Sequence, residues 1–144
     1  MMSPKEPGLT ITRWMAAPPA KVFAALTDPA KILRWWGPDA GLTLRAEAEL
    51  RPGGRFSVTF RTEDGGEHTS YGIYREVIED QKLVMTWHWR ETPELESLVT
   101  MLLKPLHGGT ELTLIHEGFP DTETRDSHRD GWNVALDKLR DLLE

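Results

Sequence analysis

The chain has 144 residues, 39% of them hydrophobic and 28% charged, long enough to bury a self-sufficient core as one soluble globular domain. Its net charge of −6, with lysines and arginines scattered rather than clustered, argues against nucleic acid and anionic membrane surfaces as partners. Cysteine is absent, which removes disulfides, thiol nucleophiles and thiolate metal sites together.

Met1 to Leu9 lacks the apolar core of a signal peptide, and no window approaches ~18 consecutive apolar residues. The expectation is a cytoplasmic protein without membrane insertion, one domain over residues 1–144, with 1–8 as a flexible N-terminus. Leu9 to Met15 alternates weakly and reads as a first strand. Pro19 suits a first helical turn, and Val22, Phe23 and Leu26 share a helical face. Asp28 then caps a second short helix with Pro29 at its first position; Ile32, Trp35 and Trp36 form its apolar side, and Gly37-Pro38 stops it.

From Leu42 the period changes to two. Leu42, Leu44, Ala46, Ala48 and Leu50 alternate with polar residues as a half-buried strand. Pro52-Gly53-Gly54 turns the chain into Phe56, Val58 and Phe60, and Asp64-Gly65-Gly66 is the strongest hairpin signal. A strand from Glu67 to Glu79 follows, then one carrying Leu83, Met85, Trp87 and Trp89 on one phase. Val99, Met101 and Leu103 mark the next, and Leu112, Leu114 and His116 the last. No βαβ spacing occurs, so an antiparallel meander is expected. Asp121 or Thr122 caps a helix running almost to Glu144, with Trp132, Ala135, Leu136, Leu139, Leu142 and Leu143 as its apolar stripe and Asp137, Lys138, Arg140 and Asp141 facing water.

One long helix must cover the apolar face of six to seven strands. A sheet of that width twists and curls, so the helix is gripped by the concave side, and one helix rarely fills such a concavity. The expected architecture is α+β: a curved antiparallel sheet around a long C-terminal helix, with two short N-terminal helices. A cavity or an aromatic plug follows from that geometry.

The segments Val22–Pro29, Trp35–Pro38, Pro52–Gly54, Leu83–Trp87, Leu112–Phe119 and Gly131-Trp132 with Leu136, in this order, resemble the heat-shock protein 90 ATPase activator homologue family of the START-like, or SRPBCC, superfamily. The resemblance covers about Leu9 to Leu143 and implies the helix-grip fold. It implies, for most superfamily members, binding of a hydrophobic small molecule between sheet and helix, with polyketide cyclases among the members that became enzymes. It carries over no catalytic residue set.

The expected lining of such a cavity is Trp36, Phe56, Val58, Phe60, Tyr71, Met85, Trp87, Trp89, Met101, Leu114, His116, Trp132 and Leu136. For the tryptophans among them, plain core packing is the competing reading, and Tyr71 depends on the phase of its strand, which Tyr74 and Ile78 leave open. His116 lies on the apolar phase of its strand. It is either a polar anchor for a ligand, with Tyr71 as a second, or a satisfied core histidine. His88 takes the opposite phase and reads as solvated. His128, one turn before Trp132, reads as a surface histidine, with the cavity mouth as the alternative. Gly131 costs helix stability and implies a close approach of the helix backbone. Arg13, on an inward phase, pairs with a carboxylate such as Glu47 or Glu49, or the strand is bulged.

No nucleophile elbow, phosphate loop or dinucleotide fingerprint is present, and the histidines are scattered, so neither a metal nor a cofactor is expected. The reading is a binder of an apolar or amphipathic small molecule. A cyclase or dehydratase using His116 as acid or base, and a chaperone-accessory interaction module, are the alternatives.

Overall fold

In the computed structural model, which describes residues 7–144, the alternating segments form seven strands. They are β1 (Leu9–Met15), β2 (Thr43–Ala48), β3 (Arg55–Arg61), β4 (Glu67–Ile78), β5 (Lys82–Trp89), β6 (Thr92–Leu106) and β7 (Gly109–Glu117). Strands β2 to β7 run as an antiparallel meander, and β1 pairs with β7, giving the order β1-β7-β6-β5-β4-β3-β2. Helices α1 (Pro19–Thr27) and α2 (Pro29–Ile32) carry the chain from one sheet edge to the other. Helix α3 (Thr122–Leu143) closes the concave face. This is the helix-grip arrangement that the patterning implied, a curved sheet holding a long C-terminal helix. None of the helices among the described residues is long and apolar enough to cross a membrane. Residues 1–6, most of the segment expected to be flexible, lie outside the described residues.

One core runs through the inward phases. Phe56, Val58 and Phe60 of β3, Leu83, Met85 and Trp87 of β5, Val99 and Met101 of β6, and Leu112, Leu114 and His116 of β7 are all buried. From α3, Trp132, Ala135, Leu136, Leu139 and Leu143 pack against them, and Trp89 is half-buried at the margin. Burial of this stripe, more than helix propensity, holds α3 in place. Asp121 caps it, its carboxylate accepting from the Thr124 N–H at 2.7 Å.

Several expectations are corrected. The strand at residues 43–48 is a short edge strand with a register shift between Thr43 and Arg45; Leu42 is 67% exposed and Leu50 is also exposed. An edge strand is buried from one side only, so a longer alternation does not by itself bring its ends into the core. Helix α2 ends at Ile32, and Trp35 and Trp36 follow in turns rather than in the helix. Strand β6 begins earlier than its apolar positions suggest, at Thr92. Its first part bulges away from β5 between the Trp87–Ser97 and Trp89–Thr92 pairs. Arg13 is inward as expected, but its partners are Asp137 at 3.3 Å and Asn133 at 2.7 Å on α3. Glu47 and Glu49 lie at the opposite edge of the sheet, so they could not serve. Gly72 sits in β4 just before the strand shifts register against β5 between Tyr74 and Glu76; a Cβ there would meet the Thr86 carbonyl oxygen at 2.0 Å, so only glycine lets the two backbones approach.

Candidate functional site

The sheet is wider than one helix can cover, and at the end of the grip where α3 begins a cavity of about 420 Å³ remains. Its inner wall is aromatic: Trp36 from the loop after α2, Phe60 from β3, Trp87 and Trp89 from β5, and Trp132 from α3. Trp36 and Trp87 stack at 5.6 Å, Trp132 lies 5.3 Å from Trp87 and 5.7 Å from Trp36, and Trp89 meets Trp87 edge-on at 5.6 Å. On the helix, His128, Gly131, Trp132 and Ala135 line it at the i, i+3, i+4, i+7 spacing of one face, with Ser127 beside them. The rim is polar: Thr62 and His68 from the β3–β4 hairpin, Glu91 and Thr92 from the β5–β6 turn, and Gly37-Pro38. A smaller chamber of about 60 Å³ lies beyond the Trp89–His128 pair, which borders both spaces.

The loop that carries Trp36 is held from two sides. The Lys138 ammonium donates to the Asp39 carbonyl at 2.7 Å and to the Trp36 carbonyl at 3.4 Å. The Asp39 carboxylate accepts from the backbone N–H groups of Gly41 at 2.8 Å and Glu63 at 3.0 Å, tying the loop to the β3–β4 hairpin. Burial lowers the Lys138 pKa, and the nearby Asp39 charge pulls it partly back. Lys138 therefore does not face water as its helix position suggested. Gly131 makes the close approach its place in the helix implied: a Cβ there would lie 3.2 Å from Pro38 of the same loop. Replacing Lys138 by Met is expected to cost roughly 1 kcal/mol by leaving the Asp39 carbonyl unpaired, while the Trp36 carbonyl keeps the Thr43 hydroxyl as donor. A denaturant melt checks this, and an unchanged midpoint would mean that the ammonium does not hold the loop.

Two tryptophan–histidine pairs fix the polar interior. The Trp132 indole N–H donates to His116 Nδ1 at 3.0 Å, which assigns the ring proton to Nε2, bonded to Ser97 Oγ at 2.7 Å. The Trp89 indole N–H donates to His128 Nε2 at 2.9 Å, which leaves His128 Nδ1–H to donate to the Thr124 carbonyl at 2.8 Å. The two imidazoles meet edge to face at 5.2 Å. Burial holds the His116 pKa well below the ordinary 6.5, with a smaller contribution from the charge of His128. The His128 pKa is also lowered, by its own burial. Both rings are neutral at pH 7. Among the described residues, two further side-chain polar atoms are buried without partners: Trp87 Nε1 and, on the same inward phase of the neighbouring strand, Ser70 Oγ.

Of the residues expected to line a cavity, Trp36, Phe60, Trp87, Trp89 and Trp132 do so. Phe56, Val58, Met85, Met101, Leu114 and Leu136 are buried in the core behind it. His116 is fully buried with both nitrogens engaged inside the protein and does not reach the cavity, so it offers no free atom to anchor a ligand or move a proton. Tyr71 points to the opposite face of the sheet, stacked on His88 at 5.2 Å; the buried tyrosine is Tyr74, whose phenol pKa burial pushes up to about 12. His88 is on the outer face as expected but half-buried, with Nδ1 3.1 Å from the Pro93 carbonyl. His128 is the main revision. It is a wall of the cavity and not a surface residue. His68 and Glu91 were missed. The register Phe60–His68 places His68 on the inward phase, a signal the sequence offers once the hairpin is drawn.

The chain is similar to known structures over nearly its whole length. Protein CV1439 from Chromobacterium violaceum shares 27% identity and a TM-score of 0.86, with 96% of this chain and 98% of that one covered. The AHSA1 (SPO3351) protein from Silicibacter pomeroyi is also 27% identical, with a TM-score of 0.86 and coverage of 95% and 97%. CalU16 from Micromonospora echinospora is more distant in shape, with 26% identity, a TM-score of 0.65 and coverage of 92% and 73%. No curated protein matches the chain at a significant level. The family model described as "Activator of Hsp90 ATPase homolog 1-like protein" matches residues 16–144, from the end of β1 through the whole of α3. With this match covering most of its length and its fold shared with those neighbours, the chain belongs to the Activator of Hsp90 ATPase homolog 1-like family, within the SRPBCC superfamily.

Proposed function

We propose that this protein binds a small apolar or amphipathic molecule in the cavity between the sheet and the first half of α3. The observation that carries the reading is the aromatic wall of Trp36, Phe60, Trp87, Trp89 and Trp132 around a space of about 420 Å³. That size lies within the range of small-molecule sites. Desolvation of the wall supplies the binding energy, and the polar rim orients whatever part of the ligand stays near water. The family match and the shared fold are compatible with this role.

The neutral fluorophore N-phenyl-1-naphthylamine serves as the probe, because its emission rises on transfer from water to an apolar site. Saturable binding with a low-micromolar to millimolar Kd is expected. Ala135→Leu, which fills space on the helix side, and Ser127→Phe, which obstructs the exposed edge, are each expected to weaken binding by about tenfold, on the order of 1.4 kcal/mol. Two variants are needed because Ala135 is also packed in the core, whereas Ser127 is exposed. Binding unchanged in both folded variants would place the probe elsewhere and end this reading.

A further inference from the structure

The cavity has an unusual electrical character for a site that would hold a fatty acid or another organic anion. Glu91 is the only Asp, Glu, Lys or Arg side chain that lines it among the described residues. The Lys138 ammonium comes near, 3.7 Å from a Cβ placed on Gly37, but two loop carbonyls already hold it. Several of the donors are already engaged. The Trp89 and Trp132 indole N–H groups are spent on His128 and His116, and His128 Nδ1–H on the Thr124 carbonyl. The Thr62 hydroxyl is bonded to Asp64 and to the Gly66 carbonyl. Trp87 keeps a free N–H, and it is sealed from solvent. Among the described residues, an anion entering this space would meet no lysine or arginine, and the donors left to it are the Trp36 indole N–H in the wall and the Thr92 and Ser127 hydroxyls and His68 at the rim.

What the wall does offer is π surface. Four indoles and one phenyl ring carry negative faces, and tryptophan is the strongest aromatic partner for a cation. The Glu91 carboxylate stands at the rim, its side chain 56% exposed, 3.9 Å from His68 Nδ1. The chain's net charge of −6 adds a weak, salt-screened attraction of the same sign.

The geometry points to an organic cation, a quaternary or alkylated ammonium joined to an apolar body, as the class of ligand this cavity takes. The aromatic wall surrounds the ammonium and its methyl groups, and Glu91 balances the charge from the rim. The inference rests on the cavity-binding reading above and narrows it to one charge type.

Phenyltrimethylammonium and tert-butylbenzene have nearly the same shape and differ in a nitrogen cation against a neutral carbon. Desolvation favours the hydrocarbon, so tighter binding of the cation requires that the site stabilise charge. Isothermal titration and tryptophan quenching at 0.15 M salt are expected to show the cation binding roughly tenfold tighter. Glu91→Gln is expected to remove at least about threefold of that advantage. Glu79→Gln, which removes the same charge from an exposed position on the β4–β5 turn, is expected to leave the advantage intact. Equal or tighter binding of tert-butylbenzene would overturn the cation preference while leaving a binding cavity. Loss of the advantage in both glutamate variants, or in neither, would also overturn it, because Glu91 would then play no local part. If neither ligand binds, the cavity reading falls together with the inference.

Discussion

Replacing Trp132 by Ala is expected to cost about 3 kcal/mol, the lower end of the range for deleting a buried tryptophan. The indole is 5% exposed and packs within 6 Å, centroid to centroid, of Trp36 and Trp87. It also supplies the donor that His116 Nδ1 accepts. The cost falls short of about 5 kcal/mol because one side of the ring borders space that is already empty. Trp132→Phe separates the two contributions. It keeps most of the packing and strands the imidazole nitrogen, which alone costs about 1–3 kcal/mol. Denaturant melts of the two variants read both numbers. A loss within error of zero for Trp132→Ala would mean that the helix is not anchored at this point, and the arrangement of the grip would have to be redrawn.

Acid is expected to weaken the fold in a window set by the two histidines. The His116 and His128 pKa values are lowered from 6.5 in the folded protein, mainly by burial, so below pH 6.5 the unfolded chain takes up protons that the native chain refuses. Their contribution is fully present above 6.5 and is lost as pH falls toward the folded values. For His116 the slope approaches its one-proton limit of about 1.4 kcal/mol per pH unit where the unfolded imidazole is protonated and the native one is not. His128 adds to it over a narrower range. Carboxylates titrate mostly below this window, so the decline belongs to the imidazoles. His116→Asn keeps an acceptor near the Nδ1 position for the Trp132 indole and cannot be protonated. Its stability should fall distinctly less than that of the wild type over the same window. A parallel decline in both proteins would show that His116 does not resist protonation in the native state.

The sheet was legible residue by residue because period-two alternation reports which side of a strand is buried, and the glycine-rich turns mark where each strand ends. The interior shared by Phe56, Val58, Phe60, Trp87, Trp89, Leu114 and Trp132 followed from phase alone, and all seven pack together. The same logic failed at Leu42 and Leu50, where an edge strand has no second neighbour to complete its burial. It also failed at Tyr71. A strand of twelve residues with a register shift carries tyrosines on both phases, and alternation cannot say which phase faces the core until the pairing is known.

Local pattern thus settled the succession of the elements, the glycine-rich turn positions and most of the inward faces, since each depends on neighbours a few residues apart. The candidate site depended on contacts between distant segments. Whether His116 had a free nitrogen was decided by Trp132 and Ser97, which approach it from α3 and β6. His128 became part of the wall because β5 ends with Trp89 opposite it. His68 and Glu91 reach one rim because two hairpins of the curved sheet meet at the same end of the helix. A hydrogen-bond partner or a neighbouring charge fixes what such a side chain can do, and only the closed sheet around α3 brings those partners together.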